Sequence, residues 1–129
     1  MSESNNGLEL GAKVKLTYKS GIYAGELVEW SGPRAVVKVL AVLKHPDQGD
    51  LHQPYDPDVA MFHERRALSY TEKALAPLRD VQPYNGEIPE FKDSLERALQ
   101  AELAMLDKLK RWAERGLGQL EELKREYKL

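Results

Sequence analysis

The chain has 129 residues, 42% of them hydrophobic and 31% charged, which suits one small domain with an appendage in ordinary aqueous surroundings. A net charge of −2 excludes a global field that would gather nucleic acid or an anionic membrane. The absence of cysteine excludes disulfides, thiolate zinc sites, cysteine nucleophiles and lipid attachment on cysteine.

Three compositional zones follow one another. Residues 1–7, "MSESNNG", are polar and expected to be disordered; they carry no basic region leading into an apolar run, so no signal peptide is expected. Residues 8–86 carry the strand signals. In "KVKLTYK", Val14, Leu16 and Tyr18 alternate with lysines and Thr17, which predicts a half-buried strand. Ser20-Gly21 marks a turn, and "IYAGELVEW" predicts a second strand with Gly25 as a bulge or bend. After the turn "SGPR", the β-branched run "AVVKVLAVLK" predicts a third strand covered on both faces for part of its length. That run is interrupted by Lys38 and too short to span a bilayer, so no membrane insertion is expected. Residues 45–60 form a long connection spaced by Pro46, Pro54 and Pro57. Alternation returns in "RALSYTEKAL", and "LRDVQPY" adds a short last strand. Four or five short, bent strands predict a small β-barrel.

Residues 87–129 differ. Pro89 suits the first turn of a helix, with Glu87 and Glu90 beside it. Apolar residues then recur every three or four positions, at Phe91, Leu95, Leu99, Leu103, Leu106, Leu109, Ala113, Leu117, Leu120, Leu123 and Tyr127, an amphipathic stripe. Asp107 could cap a second helix, and Gly116 and Gly118 weaken a continuous one, so a helical hairpin is expected rather than one rod. The stripe is left to pack within the chain or to form a homodimer.

The stretch "KHPDQGDLHQPYDPDVAMFHERR", Lys44 to Arg66, concentrates all three histidines with five acidic residues and three prolines. Three readings compete. His45, Asp50, His52, His63 and Glu64 carry donor atoms suited to zinc or manganese, but their spacing matches no compact ligand pattern. Asp50 with His52, or His63 with Glu64, could form an acid–base pair, but adjacent residues on extended chain point apart, and no nucleophile elbow or phosphate loop accompanies them. No cofactor is therefore expected. The third reading is a rigid loop: Gly49 supplies positive φ in "DQGD", Asp47 and Asp50 bond nearby amides, and Arg65 and Arg66 pair with the loop's acids. A proline-fixed loop loses little entropy on binding and suits protein recognition. On that reading the contact candidates are His45, Asp50, His52, His63, Arg65 and Arg66.

"VVKVLAVLKHPDQGDLH" followed by "FHERRAL", with "GAKVKLTYKSGIYAGELVE" before and "PYNGEIPEFKDSLERAL" after, resembles the kinase-associated protein B family, also called kinase-associated lipoprotein B, of spore-forming Firmicutes. The resemblance spans about residues 10–127. It implies an SH3-like β-barrel followed by a helical C-terminal region. It also implies a non-enzymatic accessory role for a membrane sensor histidine kinase, or an associated scaffold, in the sporulation phosphorelay. The word lipoprotein has no acylatable cysteine to rest on here. The protein is expected in the cytoplasm, at the membrane only through its partner.

Rival readings remain. A nucleic-acid-binding barrel would use Lys13, Lys15, Lys19, Arg34 and Lys38. A proline-rich peptide groove would need several of Tyr18, Tyr23, Tyr55 and Tyr70 exposed together. A metal-dependent hydrolase would use the histidine loop.

Overall fold

The computed structural model describes residues 8–129; the expected disorder of residues 1–7 lies outside them. Five antiparallel strands precede one helix. They are β1 (Lys13–Tyr18), β2 (Gly21–Ser31), β3 (Arg34–Lys44), β4 (Lys73–Pro77) and β5 (Val81–Pro83), with a 3-10 turn at Leu78–Asp80 and the helix α1 at Phe91–Tyr127. In the sheet the order is β4-β3-β2-β1-β5.

The alternation in β1 does what its pattern dictates: Val14 and Leu16 are fully buried, while Lys13 and Thr17 are exposed. Lys19 and Ser20 both adopt positive φ, 48° and 72°, the geometry that matches a two-residue hairpin loop to the strand twist. Gly32, at φ 60°, opens the next two-residue loop between Ser31 and Arg34. Gly25 sits at a register shift between β2 and β3, and a Cβ there would stand 2.3 Å from the Lys38 carbonyl oxygen. The bulge expected at Gly25 is therefore a close approach of two backbones that only glycine permits. One face of the sheet carries the core: Tyr23, Leu27, Val37, Val39 and Val42 join Val14 and Leu16, with Ala74, Ala76 and Val81 from the edges. The opposite face of β3 is half-buried.

The first turns of α1 belong to this core. Ala98 is buried within it, and Phe91 and Leu95 pack against it. Ser94 is the pivot: the Val42 amide donates to its Oγ at 2.9 Å, and that hydroxyl donates to the Phe91 carbonyl at 2.7 Å. A serine, awkward inside most helices, here satisfies a strand amide that the ladder leaves over. The Glu90 carboxylate accepts from the Asp93 amide at 3.1 Å and so caps the helix, with Pro89 outside the first turn.

Three expectations are corrected. The SH3-like barrel is not closed: among the described residues the ladder is an open sheet whose edges are β4 and β5. Both edges are short and each ends in proline, Pro77 and Pro83, which has no N–H to extend a ladder. The segment 66–72 is not a strand; β4 begins only at Lys73. The helical hairpin is one helix of 37 residues, about 56 Å at 1.5 Å per residue. Asp107, offered as a second cap, instead accepts from Arg111 one turn on at 2.8 Å. The glycine penalty of about 1 kcal/mol at Gly116 and at Gly118 is spread over so long a helix that it does not break it.

By compactness the chain divides into residues 1–99 and 100–129. The first unit holds the sheet and the start of α1; the second is the remaining helix.

Candidate functional site

The chain between β3 and β4 has no regular structure from residue 45 to 72, yet it is tightly held. Its entry is tied to the β1–β2 turn. The Asp47 amide donates to Ser20 Oγ at 2.8 Å, and Lys44 Nζ reaches the Ser20 and His45 carbonyls as well as the Asp47 carboxylate at 2.8 Å. Gly49 turns the chain at φ 91°, and the Phe62 ring lies so close that a Cβ at 49 would stand 2.9 Å from it.

Outgoing and returning arms of the loop are then clasped together. Gln48 donates through Nε2 to the Arg65 carbonyl at 2.9 Å and accepts at Oε1 from the Arg65 amide at 2.8 Å. Arg65 answers with Nη1, donating to the Asp47 carbonyl at 3.0 Å and the Gly49 carbonyl at 2.6 Å. The Gly49 amide donates to the His63 carbonyl at 2.8 Å. Each arm thus uses the other to satisfy backbone groups that no strand ladder takes. Further along, the Asp50 and Asp56 carboxylates accept from the His52 and Asp58 amides, two tight Asx turns. Lower down, the Leu68 amide donates to the Tyr23 hydroxyl at 3.2 Å, and burial pushes that phenol's pKa up.

The six contact candidates separate into two groups. His45, half-buried, donates through Nδ1 to the Pro46 carbonyl at 3.0 Å, which places its proton on Nδ1. Asp50 and Arg65 are also partly covered and make the bonds above. These three build the loop. His52, His63 and Arg66 are exposed and make up its outer surface. The expected pairing of Arg65 with the loop's acids is corrected: its guanidinium meets carbonyls, and Lys44 supplies the cation for Asp47. Among the described residues, no three histidine, aspartate or glutamate side chains gather around a metal-sized space.

Sequence reasoning offered Tyr55 for an aromatic groove but missed Met61 and Phe62, the rest of the apolar side of this surface. Tyr55, Met61 and Phe62 are 76%, 64% and 62% exposed. The signal for Met61 and Phe62 was a short apolar run, Val59 to Phe62, outside any strand or helix periodicity. Gln48, the clasp, gave no signal at all. Beside the clasp a cleft of about 310 Å³ is lined by Lys19, Tyr23, Pro46, Arg65, Arg66 and Glu72 among others.

Parts of the rival surfaces are buried or paired. Lys13 and Lys38 flank Glu26 in register across three strands, and Glu26 lies 3.7 Å from Lys38, while Lys38 faces Lys73 on β4. Tyr23, 1% exposed, is removed from a shared aromatic groove, whereas Tyr55 and Tyr70 are exposed, Tyr70 with its ring centre 5.6 Å from that of Phe91. No helix among the described residues is long and apolar enough to cross a membrane.

Comparison with known proteins agrees with this architecture. The profile of the family described as Kinase associated protein B matches residues 18–128. A Bacillus subtilis (strain 168) protein named Kinase-associated lipoprotein B is 45% identical over 120 residues, covering 92% of this chain and 94% of the relative. The crystal structure of kinase-associated protein B from Bacillus cereus is 39% identical, covers 95% of this chain and 99% of its own, and superposes with a TM-score of 0.66. The chain is a member of the kinase-associated protein B family.

Proposed function

We propose that the protein is a non-enzymatic accessory factor that binds a sensor histidine kinase of the sporulation phosphorelay and changes its activity. The observation that carries this reading is the clasp between Gln48 and Arg65, which fixes a polar loop in one shape with His52, Phe62, His63 and Arg66 facing outward. A surface already ordered loses little entropy when a partner docks, and exposed aromatic and arginine side chains are the residue types that dominate interface energy. Lys19 and Arg66, beside the cleft, complement an acidic group on the kinase. The names of the Bacillus relatives support a kinase as the partner. On this reading the protein acts on the cytoplasmic side and reaches the membrane through the kinase.

The test is direct binding of the purified chain to the cytosolic part of such a kinase, with autophosphorylation followed in parallel. Saturable binding with an altered phosphorylation rate is expected. A kinase that neither binds nor changes rate at saturating protein contradicts the proposal.

A further inference from the structure

From Leu103 to Tyr127 the helix exposes apolar side chains in register. Leu106 and Leu109 are each 42% exposed, Leu120 65% and Trp112 72%. An unbroken apolar stripe of this length is unusual on a monomer and marks an interaction surface. Its repeat is seven residues. With Leu99 at the first core position, Leu106, Ala113, Leu120 and Tyr127 take the same position in successive heptads. Glu102, Leu109, Gly116 and Leu123 take the second. The positions farthest from this seam, among them Lys108, Arg111, Glu114, Arg115, Glu122 and Arg125, are charged. The first core position is apolar throughout these four heptads and the second at Leu109 and Leu123, a seven-residue repeat of the kind that winds a left-handed coiled coil.

The order of residues along the seam selects its partner and direction. We infer that residues 102–127 pair antiparallel with the same residues of a second copy of the chain. In an antiparallel coiled coil the first core position of one helix faces the second of the other. Centred between Glu114 and Arg115, that rule sets Leu106 against Leu123 and Leu109 against Leu120, each twice by symmetry. Ala113 meets Gly116 at the centre, where two small residues let the backbones come close and the flanking Trp112 covers the gap. At each end Glu102 meets Tyr127, whose phenol can donate to the carboxylate. A parallel, in-register pair instead stacks Gly116 on Gly116 and leaves a void in the seam, which the antiparallel pair reduces by setting Ala113 against Gly116. The complementary stretch also begins where the buried part of α1 ends: Ala98 is 7% exposed, and residues 100–129 form the second unit. This stretch shares no residue with the loop proposed to meet the kinase.

The chain lacks cysteine, so cysteines introduced singly report the pairing without interference. Full-length Leu106→Cys and Leu123→Cys variants, one carrying a tag to distinguish them, are mixed under reduction and then oxidised mildly. The antiparallel pair yields the mixed disulfide, while each variant alone stays unlinked, because its two cysteines lie about 25 Å apart along the seam. Sedimentation of the unmodified chain gives a dimer, and Leu109→Asp with Leu120→Asp gives a monomer that keeps its helical signal and the melting temperature of the sheet. Self-linking of Leu106→Cys at least as efficient as mixed linking overturns the direction. A monomer at about 100 µM protomer, or a dimer that survives the double aspartate change, overturns the pairing altogether and leaves the stripe to a different partner.

Discussion

The sheet and the helix use the same apolar residue types and treat them in opposite ways. In the sheet Val14, Leu16, Leu27, Val37 and Val39 are all at 0% exposure. In the helix beyond residue 100, Leu103 is 53% and Leu117 61% exposed. Period two in the strands meets other faces of the same fold, whereas the seven-residue period in the helix has no cover within its own unit. The loop from 45 to 72 stands between these extremes. It has no periodicity, yet backbone groups that no strand takes are bonded across it. Burial, bonding and exposure thus mark three tasks: holding the fold, shaping a surface and waiting for a partner.

Substitutions can break that contrast in order of expected size. Gly25→Ala would press a methyl group against the Lys38 carbonyl and separate β2 from β3, costing about 3 kcal/mol or more in urea-induced unfolding. A variant as stable as the parent would show that the two backbones do not approach as described. Next is Ser94→Ala, which leaves the buried Val42 amide without an acceptor. A loss of about 1–3 kcal/mol is expected, while Ser94→Thr, which keeps the hydroxyl, should recover much of it. Arg65→Ala acts on the loop more than on the core. The Gly49 amide should lose about 2 kcal/mol of hydrogen-exchange protection, with the sheet amides nearly unchanged. Equal loss in the sheet would mean that the loop and core open together. At the small end, Arg111→Ala removes an exposed ion pair with Asp107 and should cost about 0.3–0.5 kcal/mol of helix stability, less in high salt.

The sequence made the strands legible because β1 to β3 bury one face and alternate accordingly, and Gly25 was visible because a glycine inside such a pattern signals a close approach. The barrel was not a fair reading of the same pattern. Whether two edge strands meet depends on their length and twist, and Pro77 and Pro83 cut both edges short. The hairpin failed for a related reason: Asp107 is as good an ion-pair partner for Arg111 as it is a cap, and only the backbone decides. In the loop, the positive φ of Gly49 and the Asp50 turn were readable from residue type. Gln48 and Arg65 were not readable as a clasp, since their bonds cross 17 residues of irregular chain and leave no spacing rule behind. Which candidates face outward followed only from that clasp: it turns His63 and Arg66 outward and holds Arg65 in.

The most direct measurement compares the kinase affinity of the unmodified chain with that of a variant carrying His63→Ala and Arg66→Ala, two exposed changes on the clasped loop. The account predicts that affinity falls at least about tenfold, roughly 1.4 kcal/mol, while the thermal melt stays within a degree or so of the parent. Unchanged affinity in a kinase that binds the unmodified chain would contradict the assignment of the loop as the contact surface.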